Sequence, residues 1–499
     1  MQASPRLDRR HAVSLSDGMS NETIVVLVVL APVVGSLVVP LIGRVSTRWR
    51  HVLAFVLVGV SLVGSLALVP SAMAGQTTTV RLALPLGINF VLCADGLAVF
   101  TAIVSSLISA IIVLYSFSYI SHYKNQDEYY FMVVLFLGAM MGLVYSGNLI
   151  LLYVFWEITA ITSWRLIGFF REDYQVWRAN KAFLVTAFGA LAMLIGFVSI
   201  YVQTGSLDMA TIRAAMKGTP LPGFAVCLIL LGILSKSATL PFHTWLPDAG
   251  VAPSPVTALL HAAVLVKIGV YVYARLFVVT FSISEFWQTV VLVTAAASAM
   301  VSACAALIET DLKRLIAYST VSQIAFIFLG LASGSPIGIA GGLLYILMHG
   351  LAKGGLFLCA GIVEQNTRTK DITKMGGLIR TMPVTALSFL LCAFSVMGLP
   401  PFGGFFSKYM VVSGAIEGGS PWIAMVFLIG AFMTILYLFR VFNMVFLGEE
   451  RMPGIIERSP LMVACVATLA VLSLAGGILI SVPSGFAAQA VREMLGMVP

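Results

Sequence analysis

Charged side chains are scarce in this chain: 10% of its 499 residues, against 60% apolar. That shortage excludes a soluble domain, in which about a quarter of residues carry charge. Paired cysteines are lacking too. The six present (Cys93, Cys227, Cys304, Cys359, Cys392 and Cys465) are isolated, mostly inside apolar runs, and form no CxxC motif. A zinc or iron–sulfur site is therefore not indicated. Nor is there a nucleotide-binding loop, a zinc motif or a nucleophile elbow, since the glycine pairs lie in apolar runs rather than after a strand. No cofactor, no metal and no redox centre are expected. The net charge of +8 comes from basic residues in short loops between apolar runs, an orientation signal and not a nucleic-acid footprint.

What the chain does have is apolar runs of about 20 residues, each long enough to cross roughly 30 Å of hydrocarbon as a helix. They lack the period-2 alternation of barrel strands, so the expected class is an all-α membrane protein. About fourteen spans are predicted, over 23–42, 52–73, 91–115, 129–146, 148–169, 181–203, 223–240, 254–278, 286–307, 315–333, 337–363, 384–413, 421–447 and 460–482. Under this count the odd-numbered loops hold about 15 Lys and Arg and the even loops and tail about 5. Arg44, Arg48, Arg171, Arg178, Lys370 and Lys374 are among the former. This bias puts both termini outside the cytoplasm, with the protein multi-pass in a cell (cytoplasmic or inner) membrane. The first 18 residues are polar, and Met19 precedes the run that starts near Thr23. They read as an upstream start with Met19 as the alternative. A transit peptide is the rival, and Asp8 and Asp17 count against it.

Two spans contain breaks. Pro241 and Pro247 interrupt LPFHTWLPDA, and Gly398, Pro400, Pro401, Gly403 and Gly404 interrupt MGLPPFGGFFSK. Broken helices five spans apart point to inverted repeats, because unwound backbone is tolerated at depth only beside protein or a watery cavity. The expected division is a polar segment 1–22, peripheral transmembrane helices 23–128, a first repeat 129–278, a second repeat 279–447, and a last transmembrane helix and tail 448–499.

An ionisable side chain in the bilayer costs on the order of 3 kcal/mol, so the few present need a reason. They are Glu157, Lys236, His261, Lys267, His349, Lys353 and Lys408. Any one alone reads equally as a snorkelling or structurally paired residue. Together they read as a proton relay. Burial disfavours a lysine's charged form and a nearby carboxylate favours it, so a Lys236 that gains or loses Glu157 as partner binds or releases a proton. His261 and His349 suit intermediate steps, and His349 and Lys353 share one helical face at i, i+4. Lys236 precedes the first break by about a turn, and Lys408 follows the second. Asp95 reads as a helix cap or a subunit contact, Lys181 as an interfacial anchor and Arg165 as a snorkelling residue. Asp311, Lys313 and Arg314 read as a topogenic loop.

The segments FWEITAITS, LIGFF and KAFLVT, SKSATLPFHTWLPDAGVAPSPVTALLHAAVLVKIGVY, TDLKRLIAYSTVSQI, HGLAKGGLF and MGLPPFGGFFSK closely resemble the proton-conducting antiporter-like subunits of respiratory complex I and of Mrp sodium/proton antiporters. The match runs from about Asp95 to Lys408. It implies fourteen helices, two inverted five-helix repeats, and assembly with other membrane subunits, homologous ones included. It also implies that the seven ionisable residues form two linked half-channels, with Glu157 and Lys236 in the first and Lys408 terminal. The stretch Gly361 to Gly377 looks most like the Mrp and membrane-bound hydrogenase branch. The expected function is an ion-translocating subunit, for H⁺ or Na⁺, of a complex I-related redox complex; the alternative is a subunit of an Mrp-type antiporter. Two departures stand out. Only one span and a short tail follow Arg458, unlike the longest complex I subunit or a full-length large Mrp subunit. Arg165 replaces a residue that is usually uncharged in the family, which bears on the surroundings of Glu157.

Overall fold

The structure, a computed structural model, describes residues 19–83 and 89–497. The polar start of the chain, with Asp8 and Asp17, lies outside the described residues. The chain begins with α1 (Asn21–Ser36), which the Ser20 side chain caps by accepting from the Thr23 amide. It meets α2 (Val39–Val45) at a 49° bend. Next come α3 (Thr47–Ala67) and α4 (Val69–Met73), then the antiparallel hairpin of β1 (Thr78–Ala83) and β2 (Asn89–Ala94). The predicted span 91–115 therefore starts as strand. Its helix, α5 (Gly96–Tyr119), begins only after Asp95, whose carboxylate accepts the Ala98 amide at 2.9 Å.

Asp95 does more than cap. It pairs with Arg275 through contacts of 2.5 and 2.7 Å, with side-chain exposures of 13% and 6%. Removing one partner of such a pair leaves an uncompensated buried charge, which costs about 3–5 kcal/mol. Arg275→Met is thus expected to lower the melting temperature of the purified protein sharply, and Asp95→Asn in the same chain to restore part of the loss.

The interior continues with α6 (Gln126–Val144), α7 (Leu149–Ile167), α8 (Asp173–Thr204), α9 (Met209–Ala215), α10 (Gly223–Lys236), α11 (Trp245–Asp248), α12 (Ser254–Ala258) and α13 (Leu265–Tyr273). The predicted span 254–278 is present as Ser254–Thr280, with two π-helical turns inside it. A π-helical turn at Leu259–Ala263 separates α12 from α13, and a second follows at Ala274–Thr280. After them run α14 (Glu285–Ile308), α15 (Leu312–Ala332), α16 (Pro336–Thr367), α17 (Pro383–Met397), α18 (Gly403–Glu417), α19 (Pro421–Phe446) and α20 (Pro460–Ile478). The tail expected after the last span is itself helical in α21 (Ser481–Met494). Its Glu493 accepts from the Gly96 amide and the Thr77 hydroxyl, both at 2.8 Å.

Among the described residues, eleven helices are long and apolar enough to cross a membrane, with α3–α4 (Thr47–Met73) and Ser254–Thr280 each taken as one, or twelve if the bent α1–α2 pair is one span. The expected fourteen differ by the two interrupted segments, whose apolar helices α10 and α17 have only 14 and 15 residues. The protein is thus a multi-pass helical bundle. On α8 the exposed residues Leu184, Phe188, Leu191, Ile195, Val198 and Val202 recur every three or four positions, a stripe that suits hydrocarbon and not water. By contrast, α15 and α16 are buried on nearly every side, their few polar groups included, so they form the axis of the bundle.

The repeat is visible in the backbone. The Leu149 amide bonds the Leu207 carbonyl and the Met209 amide the Gly147 carbonyl, at 2.9 and 3.0 Å. Leu312 bonds Lys370 and Ile372 bonds Thr310 at the same two distances, each residue 163 positions after its counterpart (149 to 312, 207 to 370, 209 to 372, 147 to 310). The first set lies at the hairpin end, where the Gly147 amide bonds the Val91 carbonyl at 2.9 Å. The second lies at the opposite end, among Arg314, Arg368 and Lys370. An odd number of membrane crossings separates the two sets, and this makes the repeats inverted.

Candidate functional site

At the first break an indole takes the freed main-chain carbonyl and at the second a lysine does, and every buried lysine donates to a main-chain carbonyl. Where α10 ends, the Trp245 indole donates to the Ser235 carbonyl at 3.0 Å, while Lys236 Nζ donates across to the Trp156 carbonyl at 3.1 Å. At the second break, α17 ends on Gly398 with φ of 83°, and Lys408 Nζ reaches back from α18 to the Val396 carbonyl at 2.7 Å. The π turn does the same for the middle of the bundle. The Val264 amide bonds back to Leu259, five residues away. The neighbouring carbonyls of Ala262 and Ala263 accept from Lys267 Nζ (2.6 Å) and Ser105 Oγ (2.9 Å). Short π segments are frequent at functional sites, and here one presents both His261 and the acceptor for Lys267.

The helix α16 gathers most of the predicted residues. It carries His349 and Lys353, its Ile346 carbonyl accepts from Lys267 Nζ at 2.9 Å, and its Phe357 ring stacks on His261 at 4.3 Å. Its Tyr345 ring lies 5.7 Å from Lys408 Nζ, which also sits 4.6 Å over Phe326. Lys353 Nζ donates to the Ile316 carbonyl (3.1 Å) and to Ser319 Oγ (2.6 Å). Lys236, Lys267, Lys353, His261 and His349 are at most 1% exposed, and Lys408 is 6% exposed.

Glu157 and Lys236 stand apart from this group. Glu157 was read as a partner that Lys236 gains or loses, and here no salt bridge joins the two among the described residues. The Lys236 ammonium instead lies 5.1 Å from the Trp156 ring. No side-chain hydrogen bond among the described residues carries on from Lys236 to Lys267. Glu157 Oε1 and both ring nitrogens of His261 and His349 are buried without a hydrogen-bond partner in the protein. Such atoms are costly, and five of the seventeen among the described residues lie on these three predicted side chains.

Sequence reading missed Ser319, Gln323, Tyr345, Thr434 and Tyr437, which fill the space between Lys353 and Lys408. Their signal was polarity inside apolar spans at helical spacing: Ser319 and Gln323 at i, i+4, Thr434 and Tyr437 at i, i+3. Gly350 is a position where packing at the site allows no side chain. A Cβ there would stand 2.9 Å from Lys267 Nζ, 3.1 Å from the Ala262 carbonyl oxygen and 2.5 Å from Ile108. Gly350→Ala is expected to push Lys267 from the π turn and to lower transport by about tenfold. Transport at the native rate in a correctly assembled complex would contradict this.

The remaining charged residues form locks. Arg165 pairs with Glu128 at the start of α6, through a short contact from Nε and one of 2.9 Å from Nη2, about two helical turns from Glu157. Glu128 also pairs with Arg171 at 2.8 Å, so one carboxylate serves both guanidiniums. Lys181 is an ion-pair partner of Asp248 (2.7 Å), and Arg314 bridges Asp248 and Glu309 at 2.8 and 3.0 Å. Lys313 pairs with Glu364 at 3.0 Å and donates to the Ala252 carbonyl at 2.9 Å. The loop read as topogenic thus ties the two repeats together. Burial raises the pKa of Glu309, but the Asp311 and Thr310 amides and the Arg314 guanidinium outweigh it and hold the carboxyl below its usual range. A cavity of ≈890 Å³ opens near the hairpin, beside Asp95, Asp208 and Arg275; it includes none of the seven predicted relay residues.

This arrangement of broken helices around buried lysines is matched at the level of sequence. The family described as NADH:quinone oxidoreductase/Mrp antiporter, TM matches residues 146–434. The chain belongs to that family. Among curated relatives, it is 34% identical over 494 residues to a protein of Staphylococcus saprophyticus named Na(+)/H(+) antiporter subunit A1. The alignment covers 92% of this chain and 61% of the relative, so the chain spans about six tenths of the length of the curated relatives it matches. Solved structures share its fold: the Mrp complex of a Dietzia species (TM-score 0.88, 23% identity, covering 96% of this chain and 98% of that one) and respiratory complex I of Thermus thermophilus with bound NADH (TM-score 0.82, 24% identity, 95% and 100%). Members of the family are thus built on one antiporter-like bundle, of which this chain has both breaks and the axial helix.

Proposed function

We propose that this chain is an ion-translocating, antiporter-like subunit of a multisubunit complex in the cell membrane. It moves protons along Glu157, Lys236, His261, Lys267, His349, Lys353 and Lys408. The observation that carries this reading is how the four lysines are held. Each donates to a main-chain carbonyl deep in the bundle, and none is paired with a carboxylate among the described residues. A carbonyl dipole holds an ammonium in place, yet releases its proton at lower cost than a full counter-charge would. The orphaned atoms of Glu157, His261 and His349 add acceptors and donors along the same route, of the kind that hold a file of water.

Such a relay serves either a redox-driven pump or a cation/proton antiporter. Relatives at 34% identity that are named Na(+)/H(+) antiporter subunit A1 favour the antiporter, with sodium as the exchanged ion and homologous membrane subunits as partners. Lys408→Ala in the reconstituted complex tests the second repeat. Ion transport is expected to fall by on the order of a hundredfold with assembly intact, and an unchanged rate would remove the second half-channel from the mechanism.

A further inference from the structure

From Lys353 one chain of side-chain hydrogen bonds runs to Tyr345, whose ring lies 5.7 Å from Lys408 Nζ. Lys353 donates to Ser319 (2.6 Å), and the one proton of Tyr437 Oη goes either to Ser319 at 2.8 Å or to Thr434 at 3.2 Å. Gln323 Nε2 then donates to Thr434 at 3.2 Å, and Tyr345 donates to Gln323 Oε1 at 2.6 Å. All of these side chains except that of Lys408 are completely buried. The orientation of the amide follows from its neighbours. Thr434 commits its own proton to the Gly430 carbonyl at 2.8 Å, so toward Gln323 it only accepts. The nitrogen of Gln323 must therefore face Thr434 and the oxygen must face Tyr345.

The links differ in kind. A hydroxyl accepts and donates on one oxygen, so once Tyr437 turns its proton to Thr434 and Ser319 its own to Tyr437, a proton arriving from Lys353 is passed along both. An amide accepts on oxygen and donates on nitrogen. Its nitrogen offers no lone pair to Thr434, and the transfer stops there. Ser319, Gln323 and Phe326 lie at i, i+4 and i+7 on one face of α15, running from the bonding partner of Lys353 to the ring beneath Lys408. Gln323 thus occupies the midpoint between the two lysines.

We propose that Gln323 is a proton break. It holds Thr434 and Tyr345 in register between Lys353 and Lys408 but does not carry the proton, so that the two lysines exchange only when the surrounding helices move. This rests on the relay proposed above, with Gln323 as a positioning residue. A carboxylate in the same place can accept once the Thr434 hydroxyl turns from the Gly430 carbonyl, and as the acid it can donate toward Tyr345 Oη, whose ring lies 5.7 Å from Lys408 Nζ. The complex bearing Gln323→Glu, reconstituted in vesicles with an entrapped pH-sensitive dye, is expected to show passive proton flux raised on the order of a hundredfold in the absence of any driving gradient of other ions. Adding Tyr437→Phe, which cuts the hydroxyl file upstream, is expected to return the flux to the native level. An assembled Gln323→Glu complex no leakier than the native one overturns the break, and so does a leak that survives Tyr437→Phe. If the Glu variant does not assemble, Gln323→His, whose ring can accept on one nitrogen as it donates from the other, is read by the same two outcomes. Lys408→Ala in otherwise native complex separates the two claims. Transport lost there, with no leak in Gln323→Glu, sinks the break alone, whereas transport retained there sinks the relay.

Discussion

Replacing Lys236 with alanine is expected to lower ion transport by on the order of a hundredfold or more in the reconstituted complex, and replacing it with arginine is expected not to restore it. The second half of the prediction is the sharper. An arginine at 236 keeps the positive charge, still donates to the Trp156 carbonyl, and stacks on the Trp156 ring at least as well as the lysine does. It differs in one respect: the guanidinium does not give up its proton at any pH a protein experiences. A role limited to holding charge at the end of α10 would survive the substitution, whereas a role in passing protons would not. The comparison is to be made on ion flux in vesicles, with assembly of each variant checked by size-exclusion chromatography. Flux restored by arginine would assign Lys236 to structure.

Gly404→Ala is expected to destabilise the protein by about 3 kcal/mol and to abolish transport. A Cβ at this position would lie 1.8 Å from the Ser395 carbonyl oxygen, a main-chain atom near the end of α17 that cannot give way alone. Relief requires α18 to withdraw from α17, and Lys408 on α18 then leaves the Val396 carbonyl that holds it. The contrast is Gly59→Ala in α3, where no atom lies within 4 Å of the added carbon. There the better helix former is expected to be neutral or slightly stabilising. Thermal melting of both variants in detergent, beside transport measured in vesicles, checks the pair. Equal melting temperatures would mean that the close approach of α17 and α18 is not maintained in solution.

Most of the candidate site was legible in the residues because charge is rare in this chain. Where a tenth of the side chains are charged, a lysine inside an apolar run needs a reason, and Lys236, Lys267, Lys353 and Lys408 stood out on that ground alone. Their holders did not. Trp156, Ala262, Ile316, Ile346 and Val396 act through main-chain carbonyls, which every residue has and which no side-chain pattern reveals. The π turn at Leu259–Ala263 was hidden for the same reason: LLHAA satisfies helical periodicity equally well with a four- or a five-residue bond, and only packing against α5 and α16 selects the latter.

The sequence by itself determined that the chain is a membrane-spanning helical bundle, where its two helices break, and which ionisable groups lie at depth. Each of these follows from local composition: apolar length, proline and glycine that cannot continue a helix, and charge with no water to receive it. Only the tertiary structure decided what those groups touch. Lys236 faces a carbonyl rather than Glu157, Arg165 shares Glu128 with Arg171, and an amide stands midway between Lys353 and Lys408. Partners such as these come from segments tens to hundreds of residues apart, and it is the packing of whole helices that brings them together.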